Sequence, residues 1–291
     1  MKSKNNSLLF SKAIESRDKG DASSALAILF TIVGVPPDLK VLRVIGDIYW
    51  DIGQLHKAIS YFRKATQHYP DDELASLALF HTLSNNEQYD EALSEMERFL
   101  SIAPSPEYES FRGQYYFEQG MRSEDKRKRI VLLEQAIQVD PEYAEAFMEL
   151  GKSYKRLGEK EKAEAALRKS IALNDDGWAH IYLGNLFFSL EEWDAAEKEF
   201  IIGQERLPDV ATPLWCQADV YRQKGDLIKS EHLYRAAVEL EPDSADALAR
   251  LGRFLLENEN RSEGEKYIRL ALKENPTSNV ALKWKQQFSV R

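Results

Sequence analysis

The chain has 291 residues, of which 43% are hydrophobic and 30% charged, a balance that permits extensive apolar burial and excludes a compositionally disordered chain. Lys and Arg number 39 against 48 Asp and Glu, a net charge of −9, which opposes broad attraction to phosphate backbones, so no nucleic-acid partner is expected. The single cysteine, Cys216, excludes an intrachain disulfide framework and any multi-cysteine metal site.

From the amino end, Met1 to Ser7 is polar and leads only to Leu8, Leu9 and Phe10, too short an apolar run for a signal peptide. No later stretch approaches the roughly 20 apolar residues of a membrane span. A soluble, cytoplasmic protein without membrane insertion is the expectation. Prolines then recur with the regularity of a ruler: Pro37, Pro70, Pro104, Pro141, Pro208, Pro242 and Pro276. Most neighbours are 33 or 34 residues apart, and the one double interval has Asp175 where a proline is expected. Between them, apolar stripes at helical spacing, such as Leu42, Ile45, Gly46 and Tyr49 and then Ala58, Phe62 and Ala65, flank Gly-led turns. The turns are read at Gly20, Gly53, Gly120, Gly158 and Gly225. Strand signals are absent, so the unit is a repeated helix-turn-helix.

This register resembles the tetratricopeptide repeat, with its W-x2-L-G-x2-Y, A-x3-F and P positions. In order, residues 39–72 carry Leu42, Ile45, Gly46, Tyr49, Ala58, Phe62 and Pro70; residues 144–176 carry Leu150, Gly151, Tyr154, Ala163 and Leu167. Residues 177–210 carry His180, Leu183, Gly184, Phe187, Ala196 and Phe200; 211–244 carry Ala218, Tyr221, Ser230 and Tyr234; 245–278 carry Leu251, Gly252, Gly264 and Ile268. Three units depart: 6–38 is clear only in its second half, Phe80 replaces the small residue in 73–105, and 106–143 holds about four extra residues. The reading is eight repeats in a single domain over 1–291, closed by a capping helix over 279–291. That helix is expected to turn Leu282 inward and Lys283, Lys285, Gln286, Gln287 and Arg291 mostly outward. The resemblance implies an all-α solenoid, a right-handed superhelix whose first helices line a concave face.

Small residues such as Gly46 with Ala58 and Gly184 with Ala196 let the two helices of a unit cross closely, while large neighbours fill the space towards the next unit. The residues left over by this packing consensus face the groove. The resemblance places there Met148, Lys152, Trp178, Tyr182, Asn185, Phe188, Trp215, Asp219, Arg222, Arg250 and Arg253, with Glu145, Glu149, Lys155, Ile181, Cys216 and Asp246 beside them. Aromatic side chains flanked by charge have the composition of a binding hot spot. A secondary groove in the first half holds Arg43, Asp47, Trp50 and His81. Packing across the repeat junction remains the alternative for Trp178 and Trp215, and a solvated face for the arginines. The carboxylate clamp with which some relatives hold chaperone tails fails by position, since Asp47, Ala78 and Phe111 stand where the clamp needs Asn, Asn and Arg.

Catalysis finds no support. The five histidines form no metal-binding spacing, Cys216 has no adjacent base and is read as packing or groove-lining, and no phosphate-binding glycine loop exists. No metal or cofactor is expected. The basic run 122–129 is read as a longer turn or an extra turn on the second helix of its unit, open to an acidic partner or simply solvated. The expected function is a non-catalytic scaffold or adaptor that holds a peptide or helical segment of a protein partner. The alternatives are a self-associating architectural subunit, hence a homo-oligomer, and a chaperone for a secreted or assembled partner.

Overall fold

The computed structural model describes residues 2–34 and 36–290. Met1, Val35 and Arg291, the last assigned above to the outer face of the end helix, lie outside the described residues. Among the described residues the secondary structure is entirely helical: α1 (Lys2–Asp18), α2 (Ala22–Ile32), α3 (Leu39–Asp51), α4 (Leu55–His68), α5 (Glu73–Asn85), α6 (Tyr89–Leu100), α7 (Pro106–Arg122), α8 (Lys126–Val139), α9 (Ala144–Leu157), α10 (Lys160–Leu173), α11 (Gly177–Ser189), α12 (Trp193–Arg206), α13 (Thr212–Lys224), α14 (Leu227–Leu240), α15 (Ala245–Glu257), α16 (Arg261–Glu274) and α17 (Asn279–Gln287). The chain divides into two compact units, residues 1–112 and 113–291, with the border inside α7.

The first unit stacks the pairs α1–α2, α3–α4 and α5–α6, and each pair packs on the next through α2 on α3 and α4 on α5. Asp21, Asp38 and Asp72 start α2, α3 and α5 by accepting hydrogen bonds from Ser24, Val41 and Ala75 N–H, which satisfies donors the helix itself leaves open. At Gly46 an added Cβ would lie 2.5 Å from the Phe62 ring. The crossing therefore depends on a ring from the second helix lying flat against bare backbone. Where Phe80 replaces the glycine, the opposing position holds Met96, fully buried, whose flexible thioether chain fills an irregular gap. Phe80 instead meets Tyr108 edge-on at 5.5 Å. Below it Ser76 Oγ donates to Glu95 at 2.7 Å, and Arg98 donates to both Glu95 oxygens at 2.8 and 2.6 Å, so this buried carboxylate is paired and hydrogen-bonded.

The second unit continues with α8 on α9, then the pairs α9–α10, α11–α12, α13–α14 and α15–α16, and α17 against α15 and α16. The first helices also touch in series, α9 with α11, α11 with α13 and α13 with α15. Gly151 and Gly184 meet Leu167 and Phe200 as Gly46 meets Phe62, at 2.6 Å for a built Cβ in both cases. In α15–α16 both crossing residues are glycines, and a Cβ on Gly264 would come within 2.9 Å of the Gly252 carbonyl oxygen.

Most turns between paired helices use a left-handed residue, at Gly20, Gly53, Gly158 and Gly225 as expected, and the α7–α8 turn does without one. Glu87 (φ 60°), Glu191 (φ 62°) and Glu259 (φ 67°) occupy the equivalent place elsewhere, a conformation that costs an L-residue about 1–2 kcal/mol.

Gly120 is a correction. It is not a turn residue but lies buried inside α7, where a Cβ would meet Arg129 O and Leu133 Cγ at 3.4 Å. The extra residues of this unit thus lengthen its first helix: α7 runs for 17 residues, whereas α8 keeps the 14 of its counterparts. The basic run is accordingly divided. Asp125 caps α8 by accepting from Arg127 and Lys128 N–H, while Arg129 folds back to donate to the Gly120 and Ser123 carbonyl oxygens at 3.2 and 2.8 Å, closing the end of α7.

The end helix requires a second correction. It stops at Gln287, and Leu282 is 43% exposed. Its inner stripe is Ala281, Trp284 and Phe288, with Val290 buried beyond the helix; Leu282 stands one position, about 100° around the helix, off that stripe. Lys283, Lys285, Gln286 and Gln287 are exposed as expected.

Candidate functional site

In the last four repeats of the second unit the fifth residue of each repeat turns into packing rather than into solvent. Met148 is half-buried against the core, Ile181 is buried against Gly203, and Ala249 is enclosed. Ile181 is therefore a core residue and does not line the groove. Trp215 has the same position: half-buried, it packs on three neighbouring clusters and carries the Arg250 guanidinium 3.6 Å above its ring.

Cys216 is enclosed within the core and offers no surface to a groove. Burial pushes its thiol up from the ordinary value, so it is inert packing.

The charged residues of α13 and α15 are bound to one another. Asp219 is buried, accepts from Tyr234 Oη at 2.6 Å and pairs with Arg250 at 2.6 Å. Arg222 lies 3.7 Å from Asp219 and 3.9 Å from Glu257, and Arg253 pairs with Glu257 at 3.0 Å while covering the Trp284 ring at 4.8 Å. The three arginines share two carboxylates, and Arg250 with Arg222 offsets the charge of the buried Asp219, which would otherwise be uncompensated.

The face between α9 and α11 differs. Trp178 is 36% exposed, and its ring lies 6.4 Å from the half-buried Tyr182. Lys152 spans the Tyr182 ring at 4.5 Å and pairs with Glu149 at 2.5 Å. Lys155 donates to the Asn185 main-chain oxygen at 2.7 Å, and burial pulls its pKa below the usual lysine value. Together Lys152, Lys155, Arg156, Leu167, Tyr182 and Asn185 line a depression of about 340 Å³. Phe188 lies apart from it, edge-on to Trp193 at 5.0 Å. Arg156 and Leu167 were absent from the sequence reading of this face. Arg156 is the thirteenth residue of its unit, a position that the resemblance to tetratricopeptide repeats places on the groove side, and that was the available signal.

The first-unit candidates are more dispersed. Arg43, Asp47 and Trp50 share α3, while His81 sits on α5 against Phe80, their rings 5.2 Å apart. Asp47 lies 3.7 Å from Arg17, and burial raises its pKa against the pull of Arg17 and Arg43. Arg17 donates to Asp51 through two nitrogens and Arg43 approaches Asp72 at 3.9 Å, so this set reads as helix-to-helix pairing.

His180 is enclosed, with Nδ1 2.6 Å from Glu199 and Nε2 2.8 Å from Asp175. Asp175 also accepts twice from Arg206, which accounts for an aspartate where the ruler expects proline. Among the described residues no cluster of His, Cys, Asp and Glu is arranged to hold a metal ion, and no helix is long and apolar enough to cross a membrane.

Family profiles described as tetratricopeptide repeat match residues 50–115, 221–283 and 144–176, together more than half of the chain. The chain belongs to the tetratricopeptide repeat family. Among solved structures it is similar to the C-terminal part of a tetratricopeptide repeat-containing protein from Cytophaga hutchinsonii, at 17% identity, covering 82% of this chain and 97% of that one with a TM-score of 0.55. It is also similar to pilF of Pseudomonas aeruginosa, at 14% identity, covering 63% and 87% with a TM-score of 0.52. Both likenesses concern the fold. No curated protein matches the sequence.

Proposed function

We propose that this tetratricopeptide repeat protein is a non-catalytic interaction scaffold that holds a linear segment of a protein partner on the first-helix face of its second unit. The observation that supports the reading is the half-open aromatic pair Trp178–Tyr182 beside the depression between α9 and α11. Aromatic anchors beside a desolvated pocket are the usual centres of binding energy. The helices that carry them are fixed by the close contacts at Gly151 and Gly184, so the surface is ordered before a ligand arrives. Trp215 and Arg250 act as its supporting wall.

The test places a photo-reactive phenylalanine analogue at Trp178 or, as a control, at Ile228 on α14, which is 87% exposed. After irradiation in the source cell, the chain labelled at 178 is expected to carry a discrete cross-linked partner segment that the chain labelled at 228 lacks. Equal or absent cross-linking at the two positions refutes the reading.

A further inference from the structure

We propose that the depression between α9 and α11 seats a side-chain carboxylate of the partner segment, held by Lys155 and Arg156, with an aromatic or large aliphatic residue of the same segment on Trp178 and Tyr182. This rests on the scaffold reading and names the chemistry of its ligand.

The argument begins with charge pairing along the first-helix face. Arg222, Arg250 and Arg253 each have an acidic partner, and Lys152 has Glu149. Lys155 and Arg156, by contrast, form no ion pair with a described residue, and among the described residues the Lys155 ammonium donates to a main-chain oxygen, that of Asn185. This occurs in a chain with 48 acidic residues. Half-burying an ammonium group without a counter-charge is unfavourable, and a ligand carboxylate supplies what the fold omits. Arg156 adds a planar fork suited to a carboxylate.

The apolar half of the recognition follows from the floor and the neighbouring rings. Leu167 and Tyr182 line the same depression, and Trp178 stands one helical turn before Tyr182. Seven positions separate Trp178 from Asn185, about 10 Å along α11, which is the span of about three extended residues. The ligand is therefore an extended segment with an acidic residue about three positions from an aromatic or large aliphatic one.

The experiment pans a random linear peptide library against the full chain. The library is fused to its phage coat protein through its carboxyl end, so it presents side-chain carboxylates without a free terminus. Selected peptides are expected to share that spacing. Once synthesised with an amidated end, they should lose affinity about tenfold or more when their acid is changed to the amide, or when the protein carries K155E and R156E. Circular dichroism of the variant checks its fold, and R156Q alone, at an exposed position, gives the same direction with less risk to packing. Peptides that depend on Trp178 but not on Lys155, Arg156 or any acid of their own overturn the carboxylate and leave the scaffold reading standing. Binding restored only by a free carboxyl terminus overturns the side-chain assignment. If no peptide is selected, or none that is selected depends on Trp178 or on the two cations, both readings fail.

Discussion

The substitution Gly184→Ala isolates the contact that holds the helix pairs together. An alanine Cβ would sit 2.6 Å from Phe200 Cε1 and 2.7 Å from Cδ1, whereas carbon atoms settle about 3.5–4.0 Å apart. Either the ring or α11 must give way by about 1 Å, and Phe200 is 1% exposed, with close-packed neighbours that leave it no room. Overpacking of this kind costs about 1–3 kcal/mol, and the better helix propensity of alanine returns about 1 kcal/mol. The net loss should be about 1 kcal/mol, the middle of a range from about 0 to about 2 kcal/mol. Gly113 is the matched control: its nearest neighbour would be Val139 Cγ1 at 3.4 Å, an ordinary contact, so Gly113→Ala keeps the propensity gain and should be neutral or stabilising by up to about 1 kcal/mol. Repeat arrays unfold with strong local character, so urea denaturation should be followed by tryptophan fluorescence, to which Trp178, Trp193 and Trp215 around α11 contribute, together with far-ultraviolet circular dichroism. The expected result is a lower fluorescence midpoint for Gly184→Ala and an equal or higher midpoint for Gly113→Ala. Equal stability of Gly184→Ala and the parent, or an equal loss in both variants, would refute the argument.

Replacing the left-handed Glu259 (φ 67°) by glycine removes about 1–2 kcal/mol of strain at an entropic cost of about 0.5–1 kcal/mol, so Glu259→Gly should raise the urea midpoint; a decrease would show that the turn is held by contacts of the glutamate side chain. Hydrogen bonding to the Arg235 guanidinium holds the Glu263 carboxyl below the usual carboxylate range. Because the folded value is depressed, this pair contributes stability that is complete above the unfolded value of about 4.3 and is lost as pH falls through the lowered folded value. Thermal scans from about pH 6 to about pH 2 should therefore show a shallower acid loss for Glu263→Gln than for the parent, and identical slopes would remove the pair from the acid response.

The all-helical fold was legible because its signals are periodic: prolines, crossing glycines and apolar stripes repeat together, and each limits what the others permit. Gly120 misled because glycine serves two physical purposes, a left-handed turn and a close helix crossing, and only the partner across α7 decides between them. Leu282 was misplaced by one position because α17 has a single helix pair to rest on, leaving Ala281, Trp284 and Phe288 to fix its rotation. At the candidate site, residue type was legible while pairing was not. Arg222, Arg250 and Arg253 look identical to Arg156 in sequence, yet the first three have an acid on the same or the neighbouring first helix, and Arg156 lines the depression with two lysines. The burial of Ile181 was hidden for a related reason, whereas that of Cys216 settles the choice between packing and groove lining in favour of packing.

The paired arginines of α15 bear on how selectively the proposed segment would be received. Arg250 and Arg253, already clasped by Asp219 and Glu257, have little rotational freedom left to surrender on encounter. Under the proposed recognition, the attraction for a ligand acid falls to Lys155 and Arg156, which line the depression between α9 and α11. For the proposed segment, an acid placed elsewhere along the row would have to displace Asp219 or Glu257 from an arginine it already holds, a cost that favours the acid seated at Lys155 and Arg156.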